Sequence, residues 1–133
     1  MNGFVMRFKE AYFDLVISDS TLHRFDDLSA VLHEIRRVLK PKGALLIRDY
    51  HRPMRWQFGA RIHDQVSRHT SAMRPQLEAA IRAAYTRGEL LGALHEAGFA
   101  GIEMSADDPA YMMIQRRGET DPGSWVVARE QYR

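Results

Sequence analysis

The sequence predicts an α/β fold in which two parallel strands joined by a helix are followed by a closing antiparallel hairpin. Three observations predict it. Two short apolar runs, Phe13-Asp14-Leu15-Val16-Ile17-Ser18 and Ala44-Leu45-Leu46-Ile47-Arg48-Asp49, have the near-continuous hydrophobicity of strands buried on both faces. Leu28, Val31, Leu32, Ile35, Val38 and Leu39 lie between them at helical spacing. Downstream, two further strand-like runs are separated by a turn-rich segment. A strand-helix-strand unit with short connections crosses over right-handed into a parallel pair.

Each element has local signals. Asp26-Asp27 suits the start of the first helix, and Pro41 and Gly43 its end, with Lys40 near the negative end of the helix dipole. Glu34, Arg36, Arg37 and Lys40 are expected mostly on its solvated side. Pro53 closes the second strand. Phe58, Ile62, Val66 and Met73 make an apolar helical stripe that Pro75 interrupts, and the Ala-rich segment Gln76 to Tyr85 favours helix. Thr86 and Glu89 fit a reciprocal capping box before Leu90, Leu91, Leu94 and Ala97, with Gly98 as the stop. Phe99–Met104 and Tyr111–Gln115 are expected as the hairpin strands, and Trp125-Val126-Val127 as a last short strand or docked tail.

The chain has 133 residues, which suits one domain. A net charge of +2 is near balance and argues neither for nor against a nucleic-acid partner. Arg52, Arg55, Arg61, Arg68 and Arg74, with Trp56 and Phe58 among them, can be read as contacting an anionic substrate or nucleic acid. A solvated helix face with its aromatics in the core is the favoured reading. No cysteine is present, which excludes thiolate chemistry and disulfides. His33 is expected to be solvated, and His63 and His69 stand six apart, off one helical face. No metal site is expected. No signal peptide or membrane span is seen, so a cytoplasmic location is the default expectation. Neither G-x-S-x-G nor a P-loop occurs.

The run Phe13-Asp14-Leu15-Val16-Ile17-Ser18, Leu22-His23, then Leu32-His33-Glu34-Ile35-Arg36-Arg37-Val38-Leu39-Lys40-Pro41-Lys42-Gly43 and Ala44-Leu45-Leu46-Ile47 resembles a run in class I S-adenosylmethionine-dependent methyltransferases of the small-molecule type. Glu89-Leu90-Leu91 with Glu96-Ala97-Gly98-Phe99 is similar to the segment that leads into that family's terminal hairpin. The resemblance implies a partial Rossmann-like doubly wound sheet. This chain would supply the fourth and fifth strands and the sixth-seventh hairpin. Residues 1–117 would be the C-terminal portion of such a domain and 118–133 a tail or short extra strand.

The family's Gly-rich loop and its ribose-binding acidic residue would precede Met1, and none of the nine glycines falls in a G-x-G-x-G. Three arrangements stay open. The chain is a fragment of a longer product or has a miscalled start, or it receives its missing half from a partner or symmetry mate, or it is a relative that now only binds or assembles. An unpaired apolar edge at Phe13–Ser18 favours a homodimer or aggregation, unless Phe4 to Phe8 folds back over it.

Ligands of open α/β sheets sit beyond the carboxyl ends of the parallel strands. Those ends are Ser18–His23 and Asp49–Arg52. The implied cofactor is S-adenosylmethionine and the partner a small-molecule acceptor. His23, at a position that is commonly His in the family, is the candidate base, since an imidazole accepts protons near neutral pH. Packing beneath the loop is its plain alternative. Ser18, Asp19 and Leu22 are the cofactor-binding candidates, with Asp19 as a turn cap instead. Asp49, Tyr50 and His51 are the acceptor-binding candidates, or an ordinary polar strand end.

Overall fold

The computed structural model describes residues 5–67, 71–105 and 111–118. Its elements run β1 (Phe13–Asp19), α1 (Leu28–Val38), β2 (Leu39–Tyr50), α2 (Phe58–Ser67), α3 (Arg74–Ala83), α4 (Arg87–Glu96), β3 (Glu103–Ser105) and β4 (Tyr111–Arg116). The sheet order is β1-β2-β4-β3. β1 and β2 are parallel, whereas β4 is antiparallel to both β2 and β3. The expected parallel pair and antiparallel hairpin are therefore joined edge to edge in one sheet.

Register divides the sheet into two faces. Val16 pairs with Leu45, Ser18 with Ile47, Ile47 with Ile114 and Asp49 with Met112. This face carries the main core, in which Leu45, Ile47, Met112 and Ile114 pack with Leu28, Val31, Leu32 and Ile35 of α1 and Leu90 and Leu94 of α4. Burial of these aliphatic side chains, each worth roughly 1.5–3 kcal/mol, drives the docking of both helices. The opposite face carries Leu15, Ile17, Leu46, Arg48 and Tyr50. A smaller cluster covers it at Tyr50, where Leu77 and Ile81 of α3 meet Phe58 and Ile62 of α2.

α1 starts where the sequence places it, with the Asp27 carboxylate accepting the Ala30 N–H at 3.0 Å. Its end differs. The helix stops at Val38, and Leu39 already belongs to β2. Pro41 and Gly43 are not helix terminators but part of an irregular opening of that strand. Phe13 pairs with Leu39 but Leu15 with Ala44, so the extra residues of β2 are looped out between the two pairs. A proline has no N–H to give the ladder, and such a bulge is where a strand tolerates one. Gly43 sits close to Leu39: a Cβ there would lie 2.6 Å from Leu39 Cδ1, so that side chain would have to shift.

Glu34 is a second correction. It is buried rather than solvated, because the chain before β1 lies against it. Its carboxylate accepts the Met6 N–H at 2.6 Å and a two-point contact from Arg37. Arg37 also donates to the Met6 and Phe8 carbonyls, both at 2.9 Å. The Arg37 hydrogen bond holds the Glu34 carboxyl below its usual range against the cost of burial. Residues 6–8 are thereby clamped to α1, and β1 remains the edge strand of the sheet among the described residues. Phe4 lies outside them.

Pro75 stands in the first turn of α3, where its missing N–H costs nothing. Met73 falls in a short 3-10 turn and is half exposed, off the expected stripe. Trp56 is no core aromatic, being 79% exposed, whereas Phe58 packs under the Arg82 guanidinium, 4.7 Å from its ring centroid. Half of the capping box forms: Thr86 Oγ1 accepts the Glu89 N–H at 3.2 Å, while the Glu89 carboxylate pairs with Arg52 instead of returning to Thr86. Phe99 to Ile102 is not strand. Gly98 (φ 92°) and Gly101 (φ 70°) turn the chain on either side of the buried Phe99, so β3 starts only at Glu103. Residues 106–110 and Trp125-Val126-Val127 lie outside the described residues, as does nearly all of the expected tail. Among the described residues no helix is long and apolar enough to cross a membrane.

Candidate functional site

Parallel pairing of β1 and β2 puts their carboxyl ends side by side, with Asp19 opposite Arg48. Ser20 then takes a left-handed conformation (φ 53°), its N–H bonding the Arg48 carbonyl at 2.7 Å. For a residue with a Cβ this costs about 1–2 kcal/mol. It turns the chain sharply into the 3-10 turn Leu22–Arg24, back across the end of β2.

Asp49 holds that turn. Its side chain points to the core face and is 2% exposed. One carboxylate oxygen accepts the Leu22 N–H at 2.8 Å, and the other meets His23 Nδ1 and the Tyr50 N–H, each at 2.8 Å. The His23 side chain is 6% exposed, and its ring stands edge-on to Tyr50 at 5.3 Å between centroids. Tyr50 points to the opposite face and stacks on its register partner Tyr111 at 5.0 Å. Burial, with a hydrogen bond to Tyr111, pushes the Tyr50 phenol up to about 12. It therefore stays protonated at physiological pH and serves as a hydrogen-bonding wall rather than a base.

The solvent side of the rim is charged. Arg48 Nε donates to Asp19 Oδ1 at 2.9 Å, and the guanidinium lies 4.9 Å from the Tyr111 centroid. Both partners of this pair are about half exposed, so it orients Asp19 more than it stabilises the fold. Ser18 is buried, and its Oγ has no hydrogen-bond partner among the described residues. An orphaned buried hydroxyl at a strand end is a group in want of a partner. His51 forms a β-bridge with Tyr85, and the Tyr85 carbonyl accepts the Arg52 N–H at 3.2 Å. Burial foremost, then Arg87 and Arg61, lowers the His51 pKa. The Tyr85 hydroxyl donates to the Phe25 carbonyl at 3.0 Å, tying the start of α4 to the loop after β1.

All seven residues singled out from the sequence thus lie at one end of the sheet. Asp49 joins Leu22 and His23 directly, Tyr50 lies against His23, and Asp19 and Ser18 end the neighbouring strand. The Leu22 side chain is in the core, 1% exposed, so its N–H is the group it gives to the turn. His51 stands one residue further out, on Tyr85. Sequence reasoning missed Arg48, Tyr85 and Tyr111. Arg48 was visible as a charge directly after the apolar run Ala44–Ile47. Tyr85 and Tyr111 reach the rim only through the fold.

A family model described as a methyltransferase domain matches residues 1–47. The uncharacterized protein YafE of Escherichia coli (strain K12) is 41% identical over 46 residues, 35% of this chain and 22% of that protein. A SAM-dependent methyltransferase from Aquifex aeolicus has a similar structure, with TM-score 0.56, 16% identity, and coverage of 86% of this chain and 50% of that one. A SAM-dependent methyltransferase from Thermotoga maritima gives 0.55 and 18%, covering 83% and 58%. The CurJ carbon methyltransferase gives 0.57 and 19%, covering 85% and 31%. The chain thus spans 22% of the curated relative's length and between 31% and 58% of these three structures. The chain is thus similar in fold to S-adenosylmethionine-dependent methyltransferases, and its first 47 residues match the methyltransferase-domain model.

Proposed function

We propose that residues 1–117 supply one rim of a site that transfers a methyl group from S-adenosylmethionine to a small-molecule acceptor. The observation that carries this reading is the junction at Asp49, which ties the turn after β1 to the end of β2 where an open α/β sheet binds its ligands. When bound, the cofactor supplies an electrophilic methyl on a sulfonium, which moves to the acceptor as the thioether leaves. The chain's own groups fit one side of such a ligand. Ser18 offers an unpartnered hydroxyl and Asp19 a carboxylate oriented by Arg48. The loop that would hold the amino-acid end is not in this sequence, which has no G-x-G-x-G.

In this reading His23 takes the proton that an O–H or N–H acceptor loses on methylation. Tyr50 and His51 position the acceptor, Tyr50 as a neutral phenol. Calorimetric titration with S-adenosylmethionine and S-adenosylhomocysteine, with light scattering for mass, tests the reading. Micromolar binding is expected. No binding up to millimolar cofactor overturns it for the chain alone.

A second reading has its own observation. Val5 is 70% exposed, Phe8 44%, Tyr12 54% and Ile17 41%, on or just before the edge strand β1. Absence of cofactor binding together with a stable dimer would favour a non-catalytic assembly module, a homo-oligomer formed through the edge Phe13–Ser18.

A further inference from the structure

We propose that Asp49 is a positioning residue that holds the His23 imidazole in its Nδ1–H form and leaves Nε2 as the nitrogen with the free lone pair. The proposal deepens the assignment of His23 as proton acceptor and rests on that reading for its function. Its structural content stands without it.

Hydrogen-bond capacity around Asp49 sets the tautomer. An ionised carboxylate only accepts, whereas a neutral imidazole has one donor and one acceptor nitrogen. Each Asp49 oxygen already faces a main-chain donor, Leu22 N–H on one and Tyr50 N–H on the other, both at 2.8 Å. Main-chain donors cannot change role. The remaining contact, His23 Nδ1 at 2.8 Å, is then satisfied only if Nδ1 carries the proton. Burial keeps water from substituting, with the two side chains 2% and 6% exposed. The Tyr50 ring, edge-on at 5.3 Å, restricts rotation that would swap the nitrogens. Nε2 makes no hydrogen bond among the described residues. A second residue orienting the base is the arrangement by which imidazoles are kept in a reactive tautomer.

The test is nitrogen-detected imidazole NMR of the whole chain labelled at its six histidines, in alkaline buffer where a free imidazole is neutral, with His23→Gln for assignment. The expected wild-type spectrum shows His23 protonated at Nδ1. In Asp49→Ala the acceptor is gone, and the His23 proton is expected to move toward Nε2, the nitrogen a free neutral imidazole favours. An Nε2–H pattern in the wild type overturns the proposal, and this holds even if the variant does not fold. An unchanged His23 pattern in folded Asp49→Ala overturns it too. The readout needs neither cofactor nor acceptor, so failure of the methyl-transfer reading, seen as absent cofactor binding, is distinguishable from failure of this one.

Discussion

Asp49→Ala is expected to lower the unfolding free energy by about 3 kcal/mol, read as a lower urea midpoint at unchanged slope. The substitution removes the acceptor of two main-chain N–H groups and an imidazole in one step. The Leu22 side chain is 1% exposed and that of Asp49 2%, so water does not readily replace the carboxylate. An unsatisfied buried donor costs about 1–3 kcal/mol, which makes this loss large for a change that deletes little apolar surface. A loss below about 1 kcal/mol would mean that the turn Leu22–Arg24 is held by something other than Asp49.

Ile47→Ala is expected to cost about 3–4 kcal/mol, in the upper part of the range for emptying a core aliphatic site. Ile47 is fully buried, in the strand flanked by β1 and β4, where its register neighbours are Ser18 and Ile114. Both α1 and α4 contribute side chains to its cluster. Ile17→Ala is the matched control. The same atoms are removed from the other face of β1, where the side chain is 41% exposed, and the expected loss is under about 1 kcal/mol. Equal losses at the two positions would contradict the assignment of the core face.

The sequence was readable wherever pattern and local chemistry agree. The apolar period of α1, the Asp27 cap and the strand runs at Phe13–Ser18 and Ala44–Asp49 all follow from residue spacing and survive in the structure. What was not readable depends on non-local contacts. Leu39 fits the helical stripe of α1 and also begins β2, and pairing with Phe13 decides for the strand. Glu34 reads as a surface residue until the chain at Met6 and the Arg37 fork enclose it. Glu89 suits a reciprocal cap, but Arg52, 37 positions away, takes its carboxylate.

The site divides in the same way. That Ser18, Asp19, Leu22, His23, Asp49, Tyr50 and His51 would share one rim followed from the parallel pairing of their strands. Which face each side chain takes did not, because the looped-out start of β2 separates its register from the spacing in the sequence. Asp49 turns to the core and Tyr50 to the opposite face as a result. Tyr111 joins Tyr50 only through the antiparallel register of β2 and β4.

In the proposed function the carboxyl ends of β1 and β2 form a ligand-binding rim. Amide chemical shifts followed across a titration with S-adenosylhomocysteine test it residue by residue. Saturable shifts are expected at Ser18 to His23 and Asp49 to His51, with the solvent face of α4 unchanged. Saturable shifts confined to other parts of the chain, or none up to millimolar ligand, would contradict it.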